Sequence, residues 1–179
     1  MIYVVRHGQT DLNKNRKMQG RIGLPLNENG IEQANALKEK LQKVDFDIVF
    51  SSPQERAVQT AEFITGVRAV VDDRLDVFDL GEADGLPVSE VKMVGSIPDP
   101  SIYKAIEEPT AFVSRVFDFM NELEKQYGDT GLTILIAGHR CTTGCIGAYF
   151  KGIPSDGNVL KYSSDTGDYK TYNFKQGGH

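Results

Sequence analysis

The sequence predicts an α/β fold, a doubly wound and mostly parallel sheet with helices on both faces. Short apolar runs without polar alternation recur along the chain, and such runs are typical of strands buried on both faces of a parallel sheet. Amphipathic helical patterns lie between these runs, and this alternation favours a sheet covered by helices. The length of 179 residues suits one compact domain, which we expect to span residues 1–179.

Four apolar runs are the predicted strands, and they cover residues 2–5, 47–50, 69–71 and 133–137. The first predicted helix, residues 30–42, carries apolar residues at helical spacing on one side and charges on the other.

The second predicted helix follows the strand at 47–50 and has start and stop signals. Ser52 suits the N-cap, Pro53 the first helical position, and Glu55 the third position of a capping box. Gly66 suits the left-handed residue that ends the helix.

The longest predicted helix spans 109–127 and stops at Gly128, and a buried helix over 142–151 follows the last apolar run. Residues 158–174 alternate on both sides of a turn at Thr166 and Gly167, which predicts a C-terminal β-hairpin.

Segment 86–108 contains three prolines and little periodicity. We expect it to be a loop that acts as a lid or sets specificity. The last four residues, 176–179, are expected to be a frayed end.

Composition excludes several classes of protein. The net charge of −5 argues against a nucleic-acid-binding surface, which needs clustered Lys and Arg. No apolar run approaches the ~20 residues of a membrane helix, and no signal-peptide pattern opens the sequence. Cys141 and Cys145 favour reduced thiols over a metal site, which would need further ligands. We expect a cytoplasmic protein without nucleic-acid or membrane partners, and its oligomeric state is left open.

Polar side chains follow three of the predicted strands, at the point where each strand ends. They are Arg6, His7 and Gly8; then Ser51, Ser52 and Arg56; and finally Gly138, His139 and Arg140. Ligands of an open parallel sheet bind beyond the carboxyl ends of its strands. Helix N-termini and arginines suit phosphate, and a histidine that is partly neutral near pH 7 can act as a nucleophile.

Each of these residues taken singly is more often structural than functional. A lone histidine after a strand is usually a satisfied structural residue, and Arg56 in a first helical turn is usually a surface ion-pair partner. Their shared position at three strand ends favours a phosphoryl-transfer site instead.

Four stretches of the sequence resemble the histidine phosphatase (phosphoglycerate mutase-like) superfamily. "RHGQTDLN" matches the leading motif through Arg6, His7, Gly8, Thr10 and Asn13; "QGRIGLPLNENGIEQA" matches through Gln19, Gly20, Leu26, Gly30, Gln33 and Ala34; "SSPQERAVQTA" carries Arg56; "AGH" ends at His139. The resemblance covers most of residues 2–85 and returns at 132–150.

The resemblance implies a metal-independent histidine phosphatase that acts on a small phosphorylated substrate without a cofactor. His7 would attack phosphorus and become a phosphohistidine, which water then hydrolyses. Arg6, Arg56 and His139 would hold the phosphoryl oxygens. Gly8, Asn13, Gln19 and Gly20 would contribute to phosphate or substrate binding, with Asn13 as a further donor.

Two positions depart from the family pattern. The Glu that commonly donates a proton to the leaving group is replaced by Val77, in "LDVFDLG". Asp76 is the nearest carboxylate in sequence, although a one-residue shift in an extended segment reverses the side chain's direction, and an exposed loop charge is an equal interpretation. Arg140 stands where the family usually has a small residue, so that it either adds positive charge to the pocket or points away.

Three functions are compatible with these features. The first is a small phosphomonoesterase that acts on a phosphorylated metabolite through His7. The second is a degenerate member that binds a phosphorylated ligand with little turnover. The third, a phosphoglycerate mutase, is disfavoured because the chain lacks the length and added segments of those enzymes.

Overall fold

The computed structural model describes residues 1–175, so the expected frayed end at 176–179 lies outside the described residues. The strands are β1 (Ile2–Arg6), β2 (Ile48–Ser51), β3 (Val70–Val71), β4 (Met93–Val94), β5 (Ile97–Pro98), β6 (Ile134–Gly138) and β7 (Tyr169–Tyr172). The main sheet has the order β3–β2–β6–β1–β7. Its first four strands are parallel and β7 is antiparallel to β1, which confirms the mostly parallel α/β class.

Helices cover both faces of this sheet. They are α1 (Asp11–Lys14), α2 (Glu28–Lys40), α3 (Glu55–Thr65), α4 (Pro109–Tyr127) and α5 (Arg140–Lys151). Successive strand residues point to opposite faces, so Val4 belongs to one core with α4 and α5, and Val5 to a second core with α2 and α3. Strand β6 contributes to both cores in the same way and is buried throughout. This explains its continuous apolar sequence.

The register of the central strands brings their carboxyl ends to one level. Arg6 pairs with Gly138, and the His7 amide donates to the Gly138 carbonyl at 3.0 Å. On the other side of β6, the Ser52 amide donates to the Ala137 carbonyl at 3.0 Å. The residues that follow β1, β2 and β6 therefore meet at one edge of the sheet.

The predicted C-terminal β-hairpin is wrong in its first arm. Residues Val159–Tyr162 form a 3₁₀ helix whose N-cap is Asn158, with the Leu160 amide donating to Asn158 Oδ1 at 3.1 Å. This turn packs closely on α5, because a Cβ on Gly144 would lie 2.5 Å from the Val159 carbonyl oxygen. The second arm is β7, which pairs with β1 instead. A small antiparallel hairpin, β4–β5, lies inside segment 86–108.

The start of α3 also differs from the prediction. Its N-cap is Gln54, without a side-chain cap, and Pro53 precedes the helix. Ser52 Oγ instead accepts the Gln54 amide at 3.2 Å and contacts His139. Gly66 does end the helix in the left-handed region, at φ 69°.

Within residues 1–175, none of the helices has the length and apolar character that a membrane span requires.

Candidate active site

A cavity of about 260 Å³ lies at the carboxyl edge of the sheet. Six of the polar residues that line it are Arg6, His7, Asn13, Gln19, His139 and Arg140. The structure thus brings together residues from the ends of β1 and β6 and from the loop after β1. Arg56 is buried and is not among the residues that line the cavity, but its positive charge lowers the pKa of both His7 and His139.

His7 is held in one tautomer. Its Nδ1 lies 2.7 Å from the carbonyl oxygen of Gly8, and because a carbonyl only accepts, Nδ1 carries the proton in this bond. Burial lowers the pKa of His7 to about 3, with further lowering by the Arg56 charge. His7 is therefore a neutral imidazole whose Nε2 lone pair is left for a nucleophilic role.

His139 lies beside His7, with ring centroids 5.2 Å apart and planes inclined by 62°. Its Nε2 is 2.8 Å from Ser52 Oγ, and its buried Nδ1 has no hydrogen-bond partner among the described residues. Ser52 Oγ accepts the Gln54 amide and can in addition either donate to Nε2 or accept from it; donation to Nε2 is the arrangement that puts the His139 proton on Nδ1. Burial, then the neighbouring His7, lowers the pKa of His139 well below its usual value.

Two guanidinium groups present buried N–H groups. Arg6 Nη1 donates to the Ser164 carbonyl at 3.2 Å, and Arg56 Nη2 donates to the Gly20 carbonyl at 2.8 Å. The Nε of each is buried without a partner among residues 1–175. A buried donor without an acceptor is costly, so both groups favour an anionic ligand. Burial lowers the pKa of Arg56 to about 10, still well above neutrality.

The loop after β1 orients Asn13 and Gln19. Asn13 Oδ1 accepts from the Thr10 amide at 3.0 Å and from Gln19 Nε2 at 3.4 Å. Thr10 Oγ1 donates to Gln19 Oε1 at 2.9 Å. With its carbonyl oxygen engaged in this network, the Asn13 amide group can act at the cavity as a donor.

Gly8 and Gly20, which the resemblance places in phosphate or substrate binding, are not among the residues that line the cavity. The Gly8 amide donates to Thr60 Oγ1 at 3.1 Å, and a Cβ on Gly8 would lie 2.6 Å from the Gly30 carbonyl oxygen. The Gly20 amide donates to Asp84 Oδ1 at 2.8 Å.

The structure does not bring Asp76 to the cavity. Its Oδ1 accepts from Gln54 Nε2 at 2.8 Å and from the Val77 amide at 2.7 Å, and its Oδ2 is 3.5 Å from Arg21 Nε. Val77 is the residue of this pair that lines the cavity, where it is 4% exposed. Val77, at the position where the resemblance expects a proton-donating Glu, is therefore an apolar side chain in the cavity wall.

Arg115 fixes the backbone that carries Val77. Its guanidinium donates to the carbonyl oxygens of Arg74 at 3.0 Å, Asp76 at 2.8 Å and Val77 at 3.2 Å. It also forms an ion pair with Glu107 at 2.8 Å. Sequence reasoning missed this role, because an arginine on an amphipathic helix has no local signal that separates it from a surface charge.

The remainder of the cavity wall is largely apolar. Segment 86–108 contributes Val88, Ser96, Ile97 and Pro98, helix α4 contributes Phe112, and the 3₁₀ helix contributes Leu160. The segment expected to be a lid or specificity loop therefore does reach the site.

Comparison with known proteins identifies the family of the chain as one of phosphatases. The model of the histidine phosphatase superfamily (branch 1) matches residues 2–178. The chain is 31% identical over 140 residues to PhoE, an uncharacterized phosphatase of Bacillus subtilis, a match that covers 76% of this chain and 71% of that protein. It is 34% identical over 135 residues to the fructose-2,6-bisphosphatase TIGAR of Xenopus laevis, covering 67% of this chain and 49% of TIGAR.

Solved structures of similar fold include the alpha-ribazole phosphatase of Shigella flexneri, with a TM-score of 0.78 and 26% identity over 94% of this chain and 87% of that one. The chain spans about half or less of the length of several curated relatives: it covers 49% of TIGAR and 43% of the protein of Hydrogenobacter thermophilus that is named "Putative phosphoserine phosphatase 2".

Proposed function

Because the chain belongs to the histidine phosphatase superfamily, we propose that it is a phosphomonoesterase that acts on a small phosphorylated metabolite through His7. The observation that carries this proposal is the hydrogen bond from His7 Nδ1 to the Gly8 carbonyl at 2.7 Å. Together with a pKa lowered to about 3, it leaves Nε2 unprotonated at neutral pH. The relatives PhoE and TIGAR are both named as phosphatases.

The reaction proceeds in two transfers. His7 Nε2 forms a bond to phosphorus while the ester P–O bond breaks, and the electron pair leaves with the ester oxygen. Water then attacks phosphorus, the P–N bond breaks, Nε2 regains its lone pair, and the two protons of the water leave with inorganic phosphate or pass to solvent. The ester oxygen that left in the first transfer takes up a proton from solvent. Arg6, Arg56 and the Nδ1–H of His139 stabilise the charge on the three equatorial phosphoryl oxygens, with Asn13 as a further donor.

The test is to trap the intermediate. A ³²P-labelled phosphomonoester, quenched in alkali within one turnover, should leave acid-labile label on His7. His7→Ala should lose both label and turnover, whereas an exposed control such as Arg68→Gln should keep them. Full activity in His7→Ala would overturn the proposal.

A second candidate function is favoured by Val77. A site that holds phosphate but lacks a proton donor could bind a phosphorylated ligand with little turnover. Phosphate binding by calorimetry, without hydrolysis of any ester including 4-nitrophenyl phosphate, would identify this case.

We also propose that segment 86–108 influences substrate choice, since Val88 and Ile97 line the cavity. The cytoplasmic location and the absence of nucleic-acid and membrane partners stay predictions.

A further inference from the structure

Within residues 1–175, no carboxylate lines the cavity. Among the described residues that line it there is no Asp, Glu or Tyr, and the ionisable side chains there are Arg6, His7, Lys17, His139, Arg140 and Cys141. Asp76, the acid nearest to Val77 in sequence, accepts a hydrogen bond from Gln54, and its Oδ2 lies 3.5 Å from Arg21 Nε. The Cys141 sulfur accepts the Phe78 amide at 3.4 Å. The wall therefore lacks the carboxylic acid that would protonate an alkoxide.

Two cationic side chains of the cavity wall are available to a ligand. Arg140 and Lys17 are both exposed and both line the cavity. Neither side chain has a hydrogen bond or an ion pair within the part of the chain that the structure describes. Arg140 directly follows His139 and lies close enough to Arg6 for its charge to lower the Arg6 pKa. Positive charge here favours an anion at the opening as well as at the base of the cavity.

The apolar part of the cavity wall suits an aromatic ring better than a polyol. Met18, Phe78, Val88, Ile97, Phe112 and Leu160 line it. Phe78 and Phe112 meet edge to face, with centroids 5.6 Å apart. A sugar or glycerol moiety would lose its hydrogen bonds to water against these side chains, whereas an aromatic ring would gain contact.

We propose that the substrate is the phosphate monoester of a phenol and that its oxygen leaves as a phenolate, stabilised by Arg140 and Lys17 instead of being protonated. This inference rests on the proposed function. The P–O bond breaks with its electron pair on oxygen as the bond from His7 Nε2 to phosphorus forms, and the phenolate takes its proton from water after release. A phenol such as tyrosine ionises near pKa about 10, against about 15.7 for water, so that only the phenolate departs readily without an acid.

The test compares four substrates by kcat/KM, which reports the steps up to the first phosphoryl transfer. 4-Nitrophenyl and phenyl phosphate differ in leaving-group acidity, benzyl phosphate keeps the ring but leaves as an alkoxide, and glycerol phosphate lacks the ring. We expect phenyl phosphate to exceed benzyl phosphate by about 10²–10⁴-fold, the range of general-acid help. Benzyl phosphate should exceed glycerol phosphate by about 10-fold or more, as apolar contact predicts.

The outcomes separate the two proposals. Benzyl or glycerol phosphate cleaved as efficiently as phenyl phosphate would overturn the phenol inference while leaving the phosphatase proposal intact. No His7-dependent cleavage of any of the four would overturn the phosphatase proposal itself.

Variants test what stabilises the leaving oxygen. Arg140→Gln and Lys17→Gln should lower kcat/KM more for phenyl than for 4-nitrophenyl phosphate, and Arg68→Gln, a matched loss of an exposed charge, should lower neither. An equal loss on both substrates would assign the two cations to the phosphoryl group and overturn their proposed role. If Cys141→Ala selectively lowers benzyl phosphate cleavage, the thiol is a proton donor and the inference is wrong.

Adding an acid provides the converse test. Val77→Glu should raise kcat/KM for benzyl phosphate while Val77→Leu does not. Because Val77 is buried, circular dichroism and a thermal melt establish that each variant folds. An equal gain in Val77→Leu would contradict the inference. If Val77→Glu does not fold, the substrate series on the wild-type protein still tests the inference.

Discussion

Gly23 lies directly against Arg56: a Cβ added to the glycine would be 1.8 Å from Arg56 Nη1. The loop after β1 thus closes over the guanidinium with no room for a side chain, and the Gly20 carbonyl accepts from its Nη2 at 2.8 Å. Since Nη1 is the end of a flexible side chain, a methyl group at residue 23 would displace the guanidinium more readily than the backbone.

We therefore expect Gly23→Ala to reduce kcat/KM for 4-nitrophenyl phosphate by about 10–100-fold, the scale of one misplaced phosphate donor. Its melting temperature should change little. The control is the double variant with Arg56→Lys: if Gly23 acts through Arg56, the two losses are not additive. Additive losses would show that Gly23 acts by another route.

Ser52 is expected to position His139. In Ser52→Ala the His139 Nε2 loses its 2.8 Å partner, which in the proposed mechanism donates to Nε2 and keeps the His139 proton on Nδ1. We expect about 10-fold lower kcat with a smaller change in KM, because the proposed donation from His139 to the phosphoryl oxygens would matter most in the transition state. Ser52→Thr, which keeps the hydroxyl, should recover most of this loss. If Ser52→Thr is as impaired as Ser52→Ala, the role of Ser52 is packing.

His7 makes stability depend on pH. Its pKa is lowered to about 3 in the folded protein, against an ordinary value of 6.5, so that the unfolded chain binds the extra proton between these limits. The free energy of unfolding should therefore fall as pH drops from about 6.5 toward 3, with a slope of at most about 1.4 kcal/mol per pH unit from this residue.

Urea unfolding at several pH values, compared with His7→Asn, measures this contribution. The variant should show a shallower loss below pH 6.5. The same slope in both proteins would mean that His7 is not held neutral in the fold.

Arg115 is expected to stabilise the segment that carries Val77. Arg115→Met leaves three carbonyl oxygens without their guanidinium donor and leaves the Glu107 carboxylate with the Asp79 amide as its remaining donor. We expect a loss of about 1–3 kcal/mol in the free energy of unfolding, the usual cost of partly buried unsatisfied groups. Glu107→Gln should lose less, since the carbonyl contacts of Arg115 persist. Unchanged stability in Arg115→Met would contradict this role.

The positions of Arg6, His7 and His139 follow from the sequence because they depend on local signals. Apolar runs identify the strands, and parallel strands bring their carboxyl ends to one edge whatever the details of packing. The start of α3 differs from the prediction because it depends on a contact between distant residues. The Ser52 side chain is typical of an N-cap, but its hydroxyl forms a hydrogen bond with His139, which follows the neighbouring strand β6.

The contacts that sequence reasoning could not find connect distant parts of the chain. The first arm of the predicted hairpin has a strand-like alternation, but packing on α5 at Gly144 makes it a 3₁₀ helix. In the same way, nothing near Gly23 in the sequence indicates that Arg56 lies against it. Such tertiary contacts override local propensity.

The pairing of β7 with β1 affects when the site can form during synthesis. β1 is an inner strand only when β6 and β7 flank it, and the Gly167 amide donates to the His7 carbonyl at 3.1 Å. A nascent chain of 150 residues already contains Arg6, His7, Arg56 and His139, yet β1 would still have one open edge, with its N–H and C=O groups unpaired. Because contacts of such long sequence separation form late and slowly, the backbone at His7 gains its Gly167 hydrogen bond only after residues 167–172 have been synthesised and have paired with β1.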